Sequence, residues 1–182
     1  EEPSSWAAGE VNAAISLGFV PPDLQKNYSK GITRADLAKM LVNLMSLKSG
    51  KSVNDFLSEN SVSGKFKDTN DRNITSIASL NIVNGYKQND GSYKFKQSNT
   101  PNRAEMAAVV NRIANYFGVN TSGYDSEVNF ADIASHWCKN ELGWPVHAGI
   151  IKGENENQFS PDKTLTTEQT ILMIYRLYMA LE

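Results

Sequence analysis

One pattern recurs three times along the 182 residues and constrains the fold more than anything else in the chain. It reads GITRADLAKMLVNLM in the first copy, TPNRAEMAAVVNRIANYF in the second and TLTTEQTILMIYRLYM in the third. Arg34 and Arg103 are 69 residues apart, and Arg103 and Thr167 are 64 apart. A long, slightly irregular period that covers nearly the whole chain indicates three copies of one unit.

The pattern is a helix start. Thr33, Asn102 and Thr166 carry oxygens that accept from a free backbone N–H, and Asp36, Glu105 and Gln169 follow three residues later, as in a capping box or a close relative of one. Behind each cap the apolar residues share one helical face: Leu37, Met40, Leu41 and Leu44; then Met106, Val109, Val110 and Ile113; then Met173, Ile174 and Leu177, with Thr170 in the first slot. A cap does not need arginine at its next position, where a guanidinium meets the positive helix end. Arg34 and Arg103 stand there nonetheless, either solvated and idle or retained for a ligand.

At 40% hydrophobic the chain can bury a core, and 18 basic against 20 acidic residues give no field that would gather nucleic acid or an anionic membrane. No apolar run is long enough to span a bilayer, and EEPSSW lacks a basic-then-apolar leader pattern. The chain opens in the middle of a unit, so a leader or neighbouring domains are expected to have been cut away. Cys138 stands alone, which excludes an internal disulfide.

In order, Ser4 or Ser5 is expected to cap a helix that carries Trp6, Val11, Ala14 and Ile15 and stops at Gly18. Residues 48–65 read as a polar connector with a short helical piece over Val53 to Leu57. The second copy opens on Phe66 and Asp68, passes Ile82-Val83-Asn84-Gly85, and folds Tyr86 to Phe95 into a small hairpin around Asn89-Asp90-Gly91. The third opens on Phe130 and Asp132 and passes His136-Trp137, Gly149-Ile150-Ile151-Lys152-Gly153 and Phe159-Ser160-Pro161-Asp162. Phe66 to Arg103 and Phe130 to Thr167 are both 37 residues, so the match extends beyond one motif.

The order F-x-D, His-Trp, Gly-Ile-Ile-x-Gly, Phe-x-Pro-Asp and Thr-Arg-Ala-Asp/Glu resembles the S-layer homology (SLH) repeat of bacterial cell-surface proteins. The resemblance implies a mainly α fold of three tandem helix-loop-helix repeats in a pseudo-threefold arrangement with short hairpin loops. Repeat 1, incomplete at its N-terminal part, would cover 1–50, repeat 2 64–120 and repeat 3 128–182, together one compact domain. It further implies a secreted, non-enzymatic module, without a cofactor, that holds the secondary cell-wall polysaccharide, commonly through N-acetylmannosamine carrying a pyruvate ketal, in grooves between repeats. Partners on this reading are that glycan and neighbouring surface proteins, and the alternative is a degenerate scaffold for protein assembly with an apolar patch around Tyr175, Tyr178 and Met179.

The residues suit such a ligand. A guanidinium grips a carboxylate with two parallel charge-assisted bonds, which nominates Arg34 and Arg103, and helix N-termini favour the same anion. Trp6 and Trp137 are either sugar platforms or core. Gly85 and Gly153 let backbone approach a ligand or merely permit a turn, Asp68 and Asp132 bond hydroxyls or cap a following helix, and Lys152 is a further candidate. Thr167 lacks the guanidinium, the second copy lacks a Trp and one helical turn, and Pro145 should kink or restart its helix, so one or two competent grooves are expected. His136, Cys138 and His147 lack a fourth zinc ligand at useful spacing. Asp68-x-Asn70 fails as a calcium loop because Asn73 and Ser79 replace the required Gly and Glu.

Overall fold

A computed structural model describes residues 1–181. The fold is mainly α, with seven α-helices among the described residues: α1 (Ala8–Leu17), α2 (Arg34–Lys48), α3 (Val53–Asn60), α4 (Arg72–Ser79), α5 (Arg103–Tyr116), α6 (Gly143–His147) and α7 (Thr167–Ala180). The hairpin pairs β1 (Tyr86–Lys87) with β2 (Tyr93–Lys94), Tyr86 opposite Lys94, and Gly91 takes the positive φ of 82° that its turn needs.

The three capped helices start where the repeated pattern begins. Thr33, Asn102 and Thr166 accept from the N–H of Asp36, Glu105 and Gln169. Glu105 and Gln169 return the bond to the cap residue's own N–H, while the shorter Asp36 reaches only the Thr33 hydroxyl. The predicted apolar faces are buried throughout, and Thr170, fully buried, bonds its hydroxyl to the Thr166 carbonyl.

The next free N–H groups of each helix go to the loop ahead of the next helix. Arg34 and Ala35 donate to the carbonyls of Asn99 and Gln97, Arg103 and Ala104 to Lys163 and Pro161, and Thr167 and Glu168 to Lys30 and Tyr28. Each acceptor lies four or six residues before its own helix start, and the third pair returns to the first loop, so the relation is cyclic. At its centre Ile32 donates to Leu165 and Leu165 to Pro101, and the bond that would complete the circuit is missing because Pro101 has no N–H.

Packing obeys the same rule. The helix that opens each copy lies against the capped helix of the copy before it: α4 on α2, α6 on α5 and, closing the circuit, α1 on α7. No capped helix therefore has its apolar face covered only from within its own copy.

Two local expectations change, and a third resolves to one of its alternatives. Ser4 does not cap α1; its N–H and hydroxyl both bond the buried Glu168 carboxylate, and Ala7 precedes the helix without a side-chain cap. The connector's helical piece extends to Asn60, capped by Ser52. Pro145 restarts its helix rather than kinking it: a 3-10 turn over Trp137–Glu141 comes first, and Pro145 falls within the first turn of α6, where no i−4 bond is lost. Leu165, 1% exposed at the centre of the circuit, is the residue whose truncation should be felt everywhere. Leu165→Ala is expected to lower the unfolding free energy by about 2–5 kcal/mol, with helix circular dichroism and tryptophan fluorescence shifting together in urea; separated transitions would mean that the circuit is not one cooperative unit.

Candidate functional site: two related inter-helix grooves

The cyclic rule brings residues from three parts of the chain to one place, and does so twice. In the first groove, of about 220 Å³, Arg34 at the start of α2 meets Asn84, Gly85 and Tyr86, the α5 residues Glu105, Ala108, Val109 and Arg112, and Trp137 from the third copy. In the second, of about 250 Å³, Arg103 at the start of α5 meets Lys152, Gly153 and Glu154, the α7 residues Gln169, Leu172, Met173 and Arg176, and Trp6 from the first copy. The two sets correspond position by position. Trp6 and Trp137 are 60% and 56% exposed, so their indoles are surface elements rather than core.

At the base of each groove the arginine is held alike. Arg34 donates from Nε to the Phe95 carbonyl at 3.0 Å and from Nη2 to that of Asn84 at 3.0 Å; Arg103 donates from Nε to Phe159 at 2.8 Å and from Nη2 to Lys152. The guanidiniums lie over the rings of Phe95 and Phe159, 4.4 and 4.6 Å from the centroids. They differ in one ionic partner. Arg34 Nη1 forms an ion pair of 2.8 Å with Glu105, which also accepts from the Tyr86 hydroxyl at 2.5 Å, whereas Gln169 occupies the Glu105 position beside Arg103. Burial, with the bond to Glu105, pushes the Tyr86 hydroxyl up to about 12. Burial also pulls Arg103 below the usual arginine range, against the opposing fields of Glu154 and Asp132.

Sequence reasoning missed two pairs that wall the grooves. Arg112 bonds Glu141 at 3.2 Å, and Arg176 grips Glu10 through two bonds of 2.7 and 2.8 Å. The bonds from Arg176 hold the Glu10 carboxyl below the usual carboxylate range. A signal was present: both arginines lie nine residues past the start of their helix, and both glutamates lie four residues past a Trp. Tyr86 and Glu105 were missed as site residues because only the fold brings them to Arg34.

The remaining candidates separate. Lys152 and both glycines line the grooves, but the glycines are dictated by packing: a Cβ on Gly85 would stand 2.4 Å from the Phe66 ring, and one on Gly153 2.4 Å from Phe130. Asp68 and Asp132 line neither groove and cap no helix. Asp68 accepts from the N–H groups of Phe95 and Lys96, and Asp132 from those of Phe159 and Ser160, which clasps the backbone whose carbonyls hold the arginines. Burial opposes ionisation of both carboxyls, yet these N–H donors lower them below the usual range. At the third seam the Thr167 hydroxyl bonds Lys30, and Asn43, in the place of Arg112 and Arg176, bonds the Phe19 carbonyl. The α4 segment carries no Trp to bring there. No cluster of His, Cys, Asp or Glu able to hold a metal occurs among the described residues; Cys138 is buried with its thiol pushed up to about 11, chiefly by burial.

Residues 129–171 match the model of the S-layer homology domain, so the chain carries that domain in its C-terminal third. The chain is similar over 96% of its length to the cellulosome-anchoring protein of Acetivibrio thermocellus, at 28% identity, covering 37% of that protein. It is similar over 95% of its length to exoglucanase XynX of Acetivibrio thermocellus at 23% identity and to the surface-layer 125 kDa protein of Lysinibacillus sphaericus at 24%, covering 15% and 14% of them. The chain thus spans well under half of each relative.

Two outcomes follow from the geometry. Arg34→Ala strands Glu105 and frees two carbonyls in a largely buried setting, and should cost about 3–5 kcal/mol of stability, measured by urea denaturation; a loss under about 1 kcal/mol would mean that the ion pair is solvated. Because the Asp132 carboxyl is lowered in the folded state, its contribution is present above about pH 4 and lost as pH falls through the folded value. Asp132→Asn should therefore destabilise at pH 7 and by progressively less as pH falls through the folded value, and a deficit that stays the same size as the pH falls would assign the effect to shape rather than charge.

Proposed function

We propose that the chain is a cell-surface anchoring module made of three S-layer homology repeats, which holds an acidic cell-wall polysaccharide in the two grooves at Arg103 and Arg34. The anchoring role itself is supported by the matched domain and by relatives named for anchoring and for the surface layer. The acidic glycan is the finer reading, and one observation carries it: twice over, a buried arginine at a helix start lies at the base of a groove walled by an exposed indole. The ligand we favour is an N-acetylmannosamine bearing a pyruvate ketal.

The groove can supply what such a sugar needs. Two of the three guanidinium nitrogens of Arg103 are anchored on carbonyls and fix its plane, while Nη1 has no hydrogen bond among the described residues and is available to a carboxylate. The Trp6 indole offers an apolar face for a sugar ring, and Gln169, Arg176 and Lys152 supply polar atoms for hydroxyls. The work is binding rather than bond making, and two grooves on one chain would add avidity for a repeating polymer. Assembly through an apolar patch is less favoured: Tyr175 and Tyr178 are half-buried, Tyr178 packs on Phe19 and under Lys48, and only Met179 is well exposed.

The test is co-sedimentation with purified cell-wall sacculi before and after acid removal of their polysaccharide. Binding should vanish with the polysaccharide, and Arg103→Ala or Trp6→Ala should each weaken it about tenfold or more. Undiminished binding to stripped sacculi would overturn the glycan reading.

A further inference from the structure

The grooves share a plan but not a charge state, and they differ first in the direct counter-ion of the arginine at the floor. In the Arg34 groove Glu105 supplies a carboxylate directly to the guanidinium at 2.8 Å. In the Arg103 groove the same helix position is Gln169, whose side-chain oxygen accepts from the Thr166 N–H within its capping box. Glu154 and Asp132 are the carboxylates whose fields reach Arg103, and neither pairs with it. Glu154 is held by Lys163 and Ser160, and both oxygens of Asp132 are spent on backbone N–H groups. Arg176 and Arg112 do not distinguish the grooves, for each is matched by its own glutamate. Lys152 adds a cation to the Arg103 groove where the Arg34 groove has Asn84; Lys96, the cation near the Arg34 groove, lies over the Tyr86 ring, 4.7 Å from its centroid.

A ligand carboxylate entering the Arg34 groove would meet Glu105 as a like charge, or would have to displace it from Arg34 and from Tyr86. In the Arg103 groove the same group would itself be the missing counter-ion of a buried guanidinium. Resting on the glycan reading above, we infer that the grooves divide the ligand: the Arg103 groove takes the anionic sugar, and the Arg34 groove takes an uncharged, hydroxyl-rich sugar of the same polymer. Glu105 and Gln169 are the residues that set this specificity. Glu105 accepts hydroxyl donors as readily as it repels carboxylates, and Tyr86 closes that groove with an apolar ring. One chain thereby reads two chemically different units rather than the same unit twice.

The sister helices supply the substitutions, since each residue already completes a capping box in the other copy. Titration calorimetry would use the methyl glycoside of pyruvylated N-acetylmannosamine and, as the uncharged probe, its carboxyl methyl ester. The unaltered chain should bind one equivalent of the acid, with the site quenching Trp6 but not Trp137 fluorescence, as judged from Trp6→Phe and Trp137→Phe. Gln169→Glu should weaken the acid by about tenfold or more while leaving the ester within about threefold. Glu105→Gln should raise the acid stoichiometry from one to two, and the double exchange should move the single acid site from Trp6 to Trp137. Two acid equivalents in the unaltered chain, an acid site that stays at Trp6 in the double exchange, or equal loss of acid and ester in Gln169→Glu would each overturn the division while leaving polysaccharide anchoring intact. Failure of intact sacculi and of both probes to bind would overturn both.

Discussion

The structure depends on where the first free N–H groups of three helices go. A helix start leaves donors that its own turns cannot satisfy. Here the cap residue takes one inside the helix, and the two N–H groups that open each helix reach carbonyls ahead of the next helix, at the same offsets in all three cases. Because the third helix returns to the first loop, the local requirement of a helix end becomes a long-range closure. The opening helices repeat the pattern by lying on the preceding capped helix, so hydrogen bonding and apolar burial select one arrangement.

The same closure explains why the grooves recur. Once α1 lies on α7, Trp6 and Glu10 come to Arg176; once the segment around α6 lies on α5, Trp137 and Glu141 come to Arg112. The arginine at the start of α2 or α5 fills the floor because the carbonyls of the F-x-P/Q turn and of the residue before the groove glycine converge on it. Asp68 and Asp132 shape those turns from behind. At the third seam the elements meet by the same rule, but threonine, asparagine and a helix without Trp supply neither cation nor indole.

The helices were readable from the sequence because capping and amphipathic spacing are local properties: Thr33, Asn102 and Thr166 each mark a start to the residue. The hairpin was readable for the same reason. Ser4 was misread because a serine ahead of a helix has the composition of a cap, while its true partner, Glu168, lies 164 positions away. Asp68 and Asp132 were assigned to sugar or to a helix cap since nothing local reveals a backbone clasp with residues 27 positions on. The ion pairs Arg112–Glu141 and Arg176–Glu10 required the order in which the copies interleave, which spacing within one copy does not encode.

Interleaving also separates two boundaries that are easily equated. The segment 129–171 that similarity picks out is bounded by its signature, yet its α6 packs on α5, outside the segment, and the α7 it enters is covered by α1 from the far end of the chain. Excised alone, it would keep its signature and lose both neighbours that shelter it. A stretch that similarity marks out as one is thus sheltered from water only inside the closed set.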